Sequence, residues 1–195
     1  RKMARPSADA LLFAWDRRLF GVDPGVWLAG HAAPAVLGLL DLLYFSYYVL
    51  LLVGPWVMFR RHGPAALRRL WATVGLGFVI CYVLFPWFPS TPPRLLFPEF
   101  AYGGWPQELN LWVLKWFSVH GNVFPSAHVA AGFAFACCHL RSDRRLGALF
   151  LVWACGIAGA TVSGGYHYGV DAVGGAAVGL VADLIVARLW RRVRD

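Results

Sequence analysis

The sequence predicts an all-α protein: a polytopic transmembrane helical bundle of five to six spans with an N-terminal interfacial helix. Three observations carry that expectation. Hydrophobic residues make up 59% of the 195 residues and charged ones only 14%, against about a quarter charged in a soluble domain. Several apolar runs approach the ~20 residues that cross a bilayer, and mean hydropathy is +0.56. The arginines behind the net charge of +8 gather at the ends of those runs. That is the pattern of topology signals and of contact with anionic lipid headgroups, and it argues against nucleic acid as a partner.

Residues 1–35 read as an N-terminal interfacial segment and residues 36–195 as the transmembrane catalytic bundle. The stretch from Leu11 to Ala29 is broken by Asp16, Arg17, Arg18, Asp23 and Pro24, so it is expected to lie in the interface as a helix and turn. Spans follow at roughly 36–59, 68–88, 125–140, 146–162 and 169–190. Small residues, Gly156 to Ala160 and the Gly175–Gly179 pair, suit close packing of helices in lipid. The four cysteines, Cys81, Cys137, Cys138 and Cys155, lie in apolar runs without disulfide or metal spacing and are expected to be buried packing residues.

Charge then orients the bundle. Arg60, Arg61, Arg68 and Arg69 lie between spans one and two, Arg141, Arg144 and Arg145 between three and four, and Arg188, Arg191, Arg192 and Arg194 at the chain end. With five spans these clusters share one side, which the positive-inside rule makes cytoplasmic. Residues 89–124 and 163–168 fall on the opposite, extracytoplasmic face.

Three polar groups collect on that face: Phe88 to Leu96 (FPSTPPRLL), Phe124 to His128 (FPSAH) and Ser163 to Asp171 (SGGYHYGVD). His167 and Asp171 are four apart, so on a helix they share a face, and an aspartate there fixes the tautomer of a nucleophilic or basic histidine. Ser126 precedes His128 and offers a hydroxyl and free amides if a helix begins near Pro125. Arg94 adds a fixed positive charge. Two histidines, an aspartate, an arginine and a helix start compose a phosphoryl-transfer site without metal, in which one histidine attacks phosphorus and the other protonates the leaving oxygen. The candidate catalytic residues are His128, His167 and Asp171; the candidate substrate-binding residues are Arg94, Ser126, Ser163 and Tyr168. His139 reads as an interfacial or packing residue, His62 and His120 as loop residues.

"PSAH", followed about forty residues later by "HxxxD" at a helix start, resembles the type 2 phosphatidic acid phosphatase superfamily over roughly residues 88–180. The stretches Trp15 to Leu28, "FPSTPPR" and "YHYGVDAVGG" look most like its inositol phosphorylceramide synthase (inositol phosphotransferase) branch. The resemblance implies a helical bundle with a metal-independent mechanism, needing no cofactor. His167 would form a phosphohistidine, Asp171 would orient it, His128 would protonate the departing alkoxide, and Ser126 and Arg94 would hold phosphate oxygens. The substrate would be a lipid phosphate or a phospholipid, and the acceptor water or an alcohol.

The chain departs from the superfamily pattern at two cations. Trp87 stands where a lysine is usual, seven positions before Arg94, and Thr161 where an arginine is usual, six before His167. That loss is similar to the synthase branch; Lys115 or His120 would be the substitutes. The superfamily core has six spans against five read here, which points to an upstream helix or a short span near 108–119. Two other classes compete. A transporter or lipid-binding scaffold would use His128, His167 and Asp171 as a proton relay. An intramembrane serine protease would use Ser163, in "TVSGGYH". The sequence leaves the lipid, the acceptor and the oligomeric state open.

Overall fold

The structure, a computed structural model, describes residues 7–117 and 121–192. Among these it is helical, with no strand. His120 and Arg194, which entered the sequence reading, lie outside the described residues.

Two short helices come first, α1 (Asp9–Phe20) and α2 (Pro24–His31). Gly21, in the left-handed region at φ 78°, ends the first. Asp23 begins the second by accepting a hydrogen bond from Val26 N, with Pro24 at its first position. The interruption foreseen between Leu11 and Ala29 is thus a tight turn between two helices, which pack on later parts of the chain.

The first two predicted spans form one long element, α3 (Pro34–Leu84), broken only at Gly63 (φ 77°, ψ −176°). Only glycine takes that conformation cheaply, and Pro64 then starts the second arm with its fixed φ. The break folds the arms together, so that Tyr47 and Leu50 of one share a core with Leu70 and Val74 of the other. A further short helix, α4 (Trp105–Phe117), lies in the region suspected of a hidden span. At about 1.5 Å per residue its 13 residues fall well short of a bilayer crossing.

The remaining helices are α5 (Ala127–Ser142), α6 (Arg144–Ser163) and α7 (Gly169–Arg192), close to the predicted spans. Helix α5 is the centre of the bundle, packed by α3, α6 and α7 and buried on nearly every side. Its density of alanine, glycine and cysteine lets neighbouring backbones approach. The seam with α7 is the tightest: a Cβ at Gly175 would sit 2.4 Å from the Ser126 carbonyl oxygen, and one at Gly179 2.5 Å from that of Ala130. Among the described residues three helical segments are long and apolar enough to cross a membrane, Pro34–Trp87, Arg144–Ser163 and Gly169–Arg191, the first holding both arms of α3.

The arginine clusters meet at one end. The Asp183 carboxylate, buried on α7, accepts from Arg69 (3.2 Å) and Arg141 (2.7 Å), and Arg61 pairs with Asp143 at 3.6 Å. His139 is a packing residue, stacked on Phe150 with ring centroids 4.0 Å apart and its Nε2 3.2 Å from the Gly54 carbonyl oxygen. One expectation fails. Cys81, Cys137 and Cys138 are buried, but Cys155 is exposed, because α6 turns only part of its circumference to the bundle and Cys155 lies on the outer part.

Candidate active site

At the opposite end of α5 from the arginines, a cavity of about 250 Å³ opens between the arms of α3, the start of α5 and the segments before α5 and α7. Arg94, His128 and His167 line it together, as the topology predicted.

His167 sits between α6 and α7. Its Nδ1 lies 3.0 Å from the Val123 carbonyl oxygen and 3.3 Å from Asp171 Oδ2. Two acceptors on one nitrogen assign the proton to Nδ1 and leave the Nε2 lone pair free. The same Asp171 oxygen accepts from Tyr168 N at 3.0 Å, and the Asp171 carbonyl accepts from Ser126 N at 2.9 Å. Burial pushes the pKa of His167 down to about 3, with the Arg94 charge adding to the effect against the Val123 hydrogen bond, so the ring is neutral at physiological pH.

His128 is the second residue of α5. Its ring lies 5.9 Å from that of His167, 4.6 Å from Tyr47 and 5.6 Å from Tyr44, measured between centroids. Neither of its nitrogens has a hydrogen-bond partner among the described residues.

Arg94 enters on a short helical turn, Pro93–Leu95, anchored by its own N–H to the Gly165 carbonyl oxygen at 2.9 Å. Its guanidinium stacks over the Tyr166 ring, 5.3 Å from the centroid, a cation–π contact. No carboxylate pairs with it among the described residues. Burial lowers its pKa from the ordinary value, yet a guanidinium keeps its proton in proteins, so the cavity holds an unneutralised cation.

The other predicted residues lie around this centre. Ser126 is the N-cap of α5, its hydroxyl accepting from Val129 N at 3.4 Å, and it is fully buried beneath the cavity lining. Ser163 donates to the Ala160 carbonyl (3.2 Å), and the Tyr168 hydroxyl faces Asp9 Oδ1 and the Thr91 carbonyl, each at 3.1 Å; neither lines the cavity. At the two departures from the superfamily pattern, Trp87 is 76% exposed and Thr161 is buried with its hydroxyl on the Ala158 carbonyl. Lys115 lies on the outer side of α4, over the ring of Trp116.

Sequence reasoning missed the walls. Tyr44, Tyr47, Tyr48, Phe78, Tyr82 and Phe85, all from α3 or the residue after it, form an aromatic side to the cavity. It also missed Asp41, buried at 1% exposure. This carboxylate accepts from the hydroxyls of Tyr102 and Tyr166 (2.7 Å for the latter) and from Asn110 Nδ2 (3.1 Å). Asp41 therefore holds the ring on which Arg94 rests, and Tyr44 stacks on that ring at 4.2 Å. The available signal was an acid inside the apolar span read at roughly 36–59, a position that calls for a reason.

Fold and site together define an integral membrane bundle with a histidine pair, His167 buried and His128 half-buried, and a free cation at one end. The chain belongs to the PAP2 superfamily, whose sequence profile matches residues 10–185. Its fold is similar to that in the crystal structure of Aquifex aeolicus LpxE, at 17% sequence identity and a TM-score of 0.66, covering 95% of this chain and 98% of that one. No curated protein matches the sequence. Membership of this family supports a membrane lipid phosphatase.

Proposed function

We propose that this protein cleaves a phosphate ester of a membrane lipid through a covalent phosphohistidine on His167. The observation that carries the reading is the fixed tautomer of His167: Nδ1 is committed to Val123 and Asp171, and the free Nε2 shares a cavity with His128 and the unpaired Arg94.

The chemistry follows in two steps. The phosphate settles against Arg94, and its negative charge favours the protonated form of the adjacent His128. Nε2 of His167 attacks phosphorus, the ester P–O bond breaks, and the departing alkoxide takes the proton of His128. Asp171 stabilises the positive charge that develops on His167. In the second step His128, now neutral, removes a proton from the acceptor, whose oxygen attacks phosphorus and releases Nε2. With water as acceptor the protein is a phosphatase.

A specific observation favours keeping transfer as a second reading. Arg94 is the one arginine or lysine among the described residues lining the cavity, and the tyrosines around it offer hydroxyl groups to a hydroxylated acceptor. An alcohol such as inositol, a glycolipid or a ceramide would then replace water. Ser126 supports the site by starting the helix that carries His128. The segment 1–35 lies at the interface in this reading, and the site faces away from the cytoplasm because the arginine end faces it.

The deciding experiment uses purified full-length protein with radiolabelled lipid phosphate and phospholipid, with and without alcohol acceptors. Acid-labile label on the protein that disappears in His167→Ala is expected; full turnover in that variant would overturn the mechanism. Release of inorganic phosphate or headgroup exchange separates the two acceptors.

A further inference from the structure

Helix α1 reaches across to the loop that carries His167, and its two acidic side chains bond three consecutive residues there. Asp16, 1% exposed, accepts from Gly169 N through Oδ2 (2.9 Å) and from Val170 N through Oδ1 (2.7 Å). Asp9 Oδ1 takes the Tyr168 hydroxyl (3.1 Å) and Thr91 N (2.7 Å). Residues 168–170 are the ones that join His167 to Asp171. Gly169 is clasped as well, since a Cβ there would lie 2.6 Å from Phe20 Cε2 and 2.7 Å from Pro24 Cγ. The contact of Asp9 with Thr91 and the hydrogen bond from Ala8 N to the Pro89 carbonyl (2.7 Å) tie the same helix to the segment leading to Arg94.

A buried carboxylate costs free energy unless donors replace its water. Here the donors are the first two amides of α7, at the positive end of that helix. Burial, opposed by these two hydrogen bonds and aided by the charges of Asp23 and Asp171, raises the Asp16 pKa to about 6. The fold thus keeps an acid in a costly place, with both oxygens spent on the segment between nucleophile and orienting acid.

Resting on the reading of His167 as nucleophile, we propose that Asp16 is a positioning residue: its grip on Gly169 and Val170 sets the backbone that brings His167 Nδ1 to Asp171. It touches no substrate, so its loss slows the chemical step and leaves binding at Arg94 intact.

The test compares wild type with Asp16→Leu, Asp16→Asn and Gly169→Ala, full chain in nanodiscs, with short-chain phosphatidic acid as probe. Apparent melting temperature, kcat and KM are read for each. Leucine keeps the size and removes both acceptors; kcat should fall about 100-fold, the cost of a misplaced reacting group, with KM unchanged. Asparagine keeps one acceptor and should fall between. Gly169→Ala keeps the carboxylate but crowds Phe20, Pro24 and Asp16 Oδ1 (3.1 Å), so it displaces the same segment from its seat and should reproduce the loss in kcat. Wild-type kcat in folded Asp16→Leu, or a change confined to KM, overturns the inference. If Asp16→Leu does not fold, Asp16→Asn decides: reduced kcat at unchanged KM supports positioning, and wild-type kcat ends it. Activity of His167→Ala separates the two levels. If that variant is active, the proposed function fails; if it is inactive while the Asp16 variants keep kcat, only the positioning role fails.

Discussion

His128 and His167 lie 39 positions apart in the chain and face each other across one cavity, their ring centroids 5.9 Å apart. One ring has its Nδ1 pinned by the protein and the other has no hydrogen-bond partner among the described residues. The pinned ring is suited to attack and the free one to carrying a proton.

That asymmetry gives different outcomes for the two alanine variants. His167→Ala is expected to lose turnover and the covalent phosphoenzyme together. His128→Ala should lose about 10²–10⁴-fold on an alkyl phosphate, the usual worth of a general acid. It should recover much of that loss on p-nitrophenyl phosphate, whose leaving group needs no proton. Equal losses on both substrates would contradict the assignment of His128.

Asp171→Asn tests the tautomer. An amide turned toward Nδ1 donates where the carboxylate accepts, moving the ring proton to Nε2 and masking the lone pair. The expected fall in kcat is about 10²–10⁴-fold, with the Val123 carbonyl still favouring the original tautomer. Proton-detected nitrogen shifts of labelled histidine would show the proton's move directly.

Stability should depend on pH through His167. The fold holds its pKa near 3, mainly by burial, against 6.5 for the free side chain. Between these values the unfolded chain binds the proton that the folded one refuses, so stability rises with pH in that window. The contribution is complete above about 6.5 and is lost as pH falls toward 3. Apparent melting temperature in detergent should therefore drop from pH 7 to pH 4.5 in the wild type and drop less in His167→Phe.

The arginine end offers a separate stability test. Asp183 joins Arg69 and Arg141 and so ties α3, α5 and α7 together. Asp183→Ala leaves two partly buried guanidiniums unpaired, with an expected loss of about 2–3 kcal/mol, below the cost of breaking a fully buried pair because Arg141 reaches solvent. Denaturant melts of the purified protein would measure it, and turnover of the folded fraction should be unchanged.

How much of this was legible beforehand depended on distance in the chain. Apolar length and arginine placement foretold the spans, and the convergence of Arg94, His128 and His167 followed from counting them. The four-residue step from His167 to Asp171 needed no long-range knowledge. The Val123 carbonyl, by contrast, carries no side-chain signature, and backbone acceptors cannot be read from residue types. Tyr44, Tyr47 and Tyr166 were hidden because tyrosines near a membrane surface also read as interface aromatics. Asp16 was hidden for the opposite reason: beside Arg17 and Arg18 it looks solvated, and only the tertiary fold buries it. Ser163 and Tyr168 were drawn in by nearness to His167 in sequence, whereas their hydroxyls turn to Ala160 and to Asp9 and Thr91.

The seam between α5 and α7 has a further consequence. Gly175 and Gly179 rest against main-chain atoms of α5, and Ser126 N is bonded to the Asp171 carbonyl. The gap between the two imidazoles is therefore gauged backbone to backbone, with no bulky side chain in the measurement. Tyr44 and Tyr47 pack on the His128 ring, but the rest of the aromatic wall, Tyr48, Phe78, Tyr82 and Phe85, stands outside that gauge. Those four residues can be exchanged to admit a different lipid while the reacting atoms keep their spacing, so selectivity and chemistry are separately adjustable in this bundle.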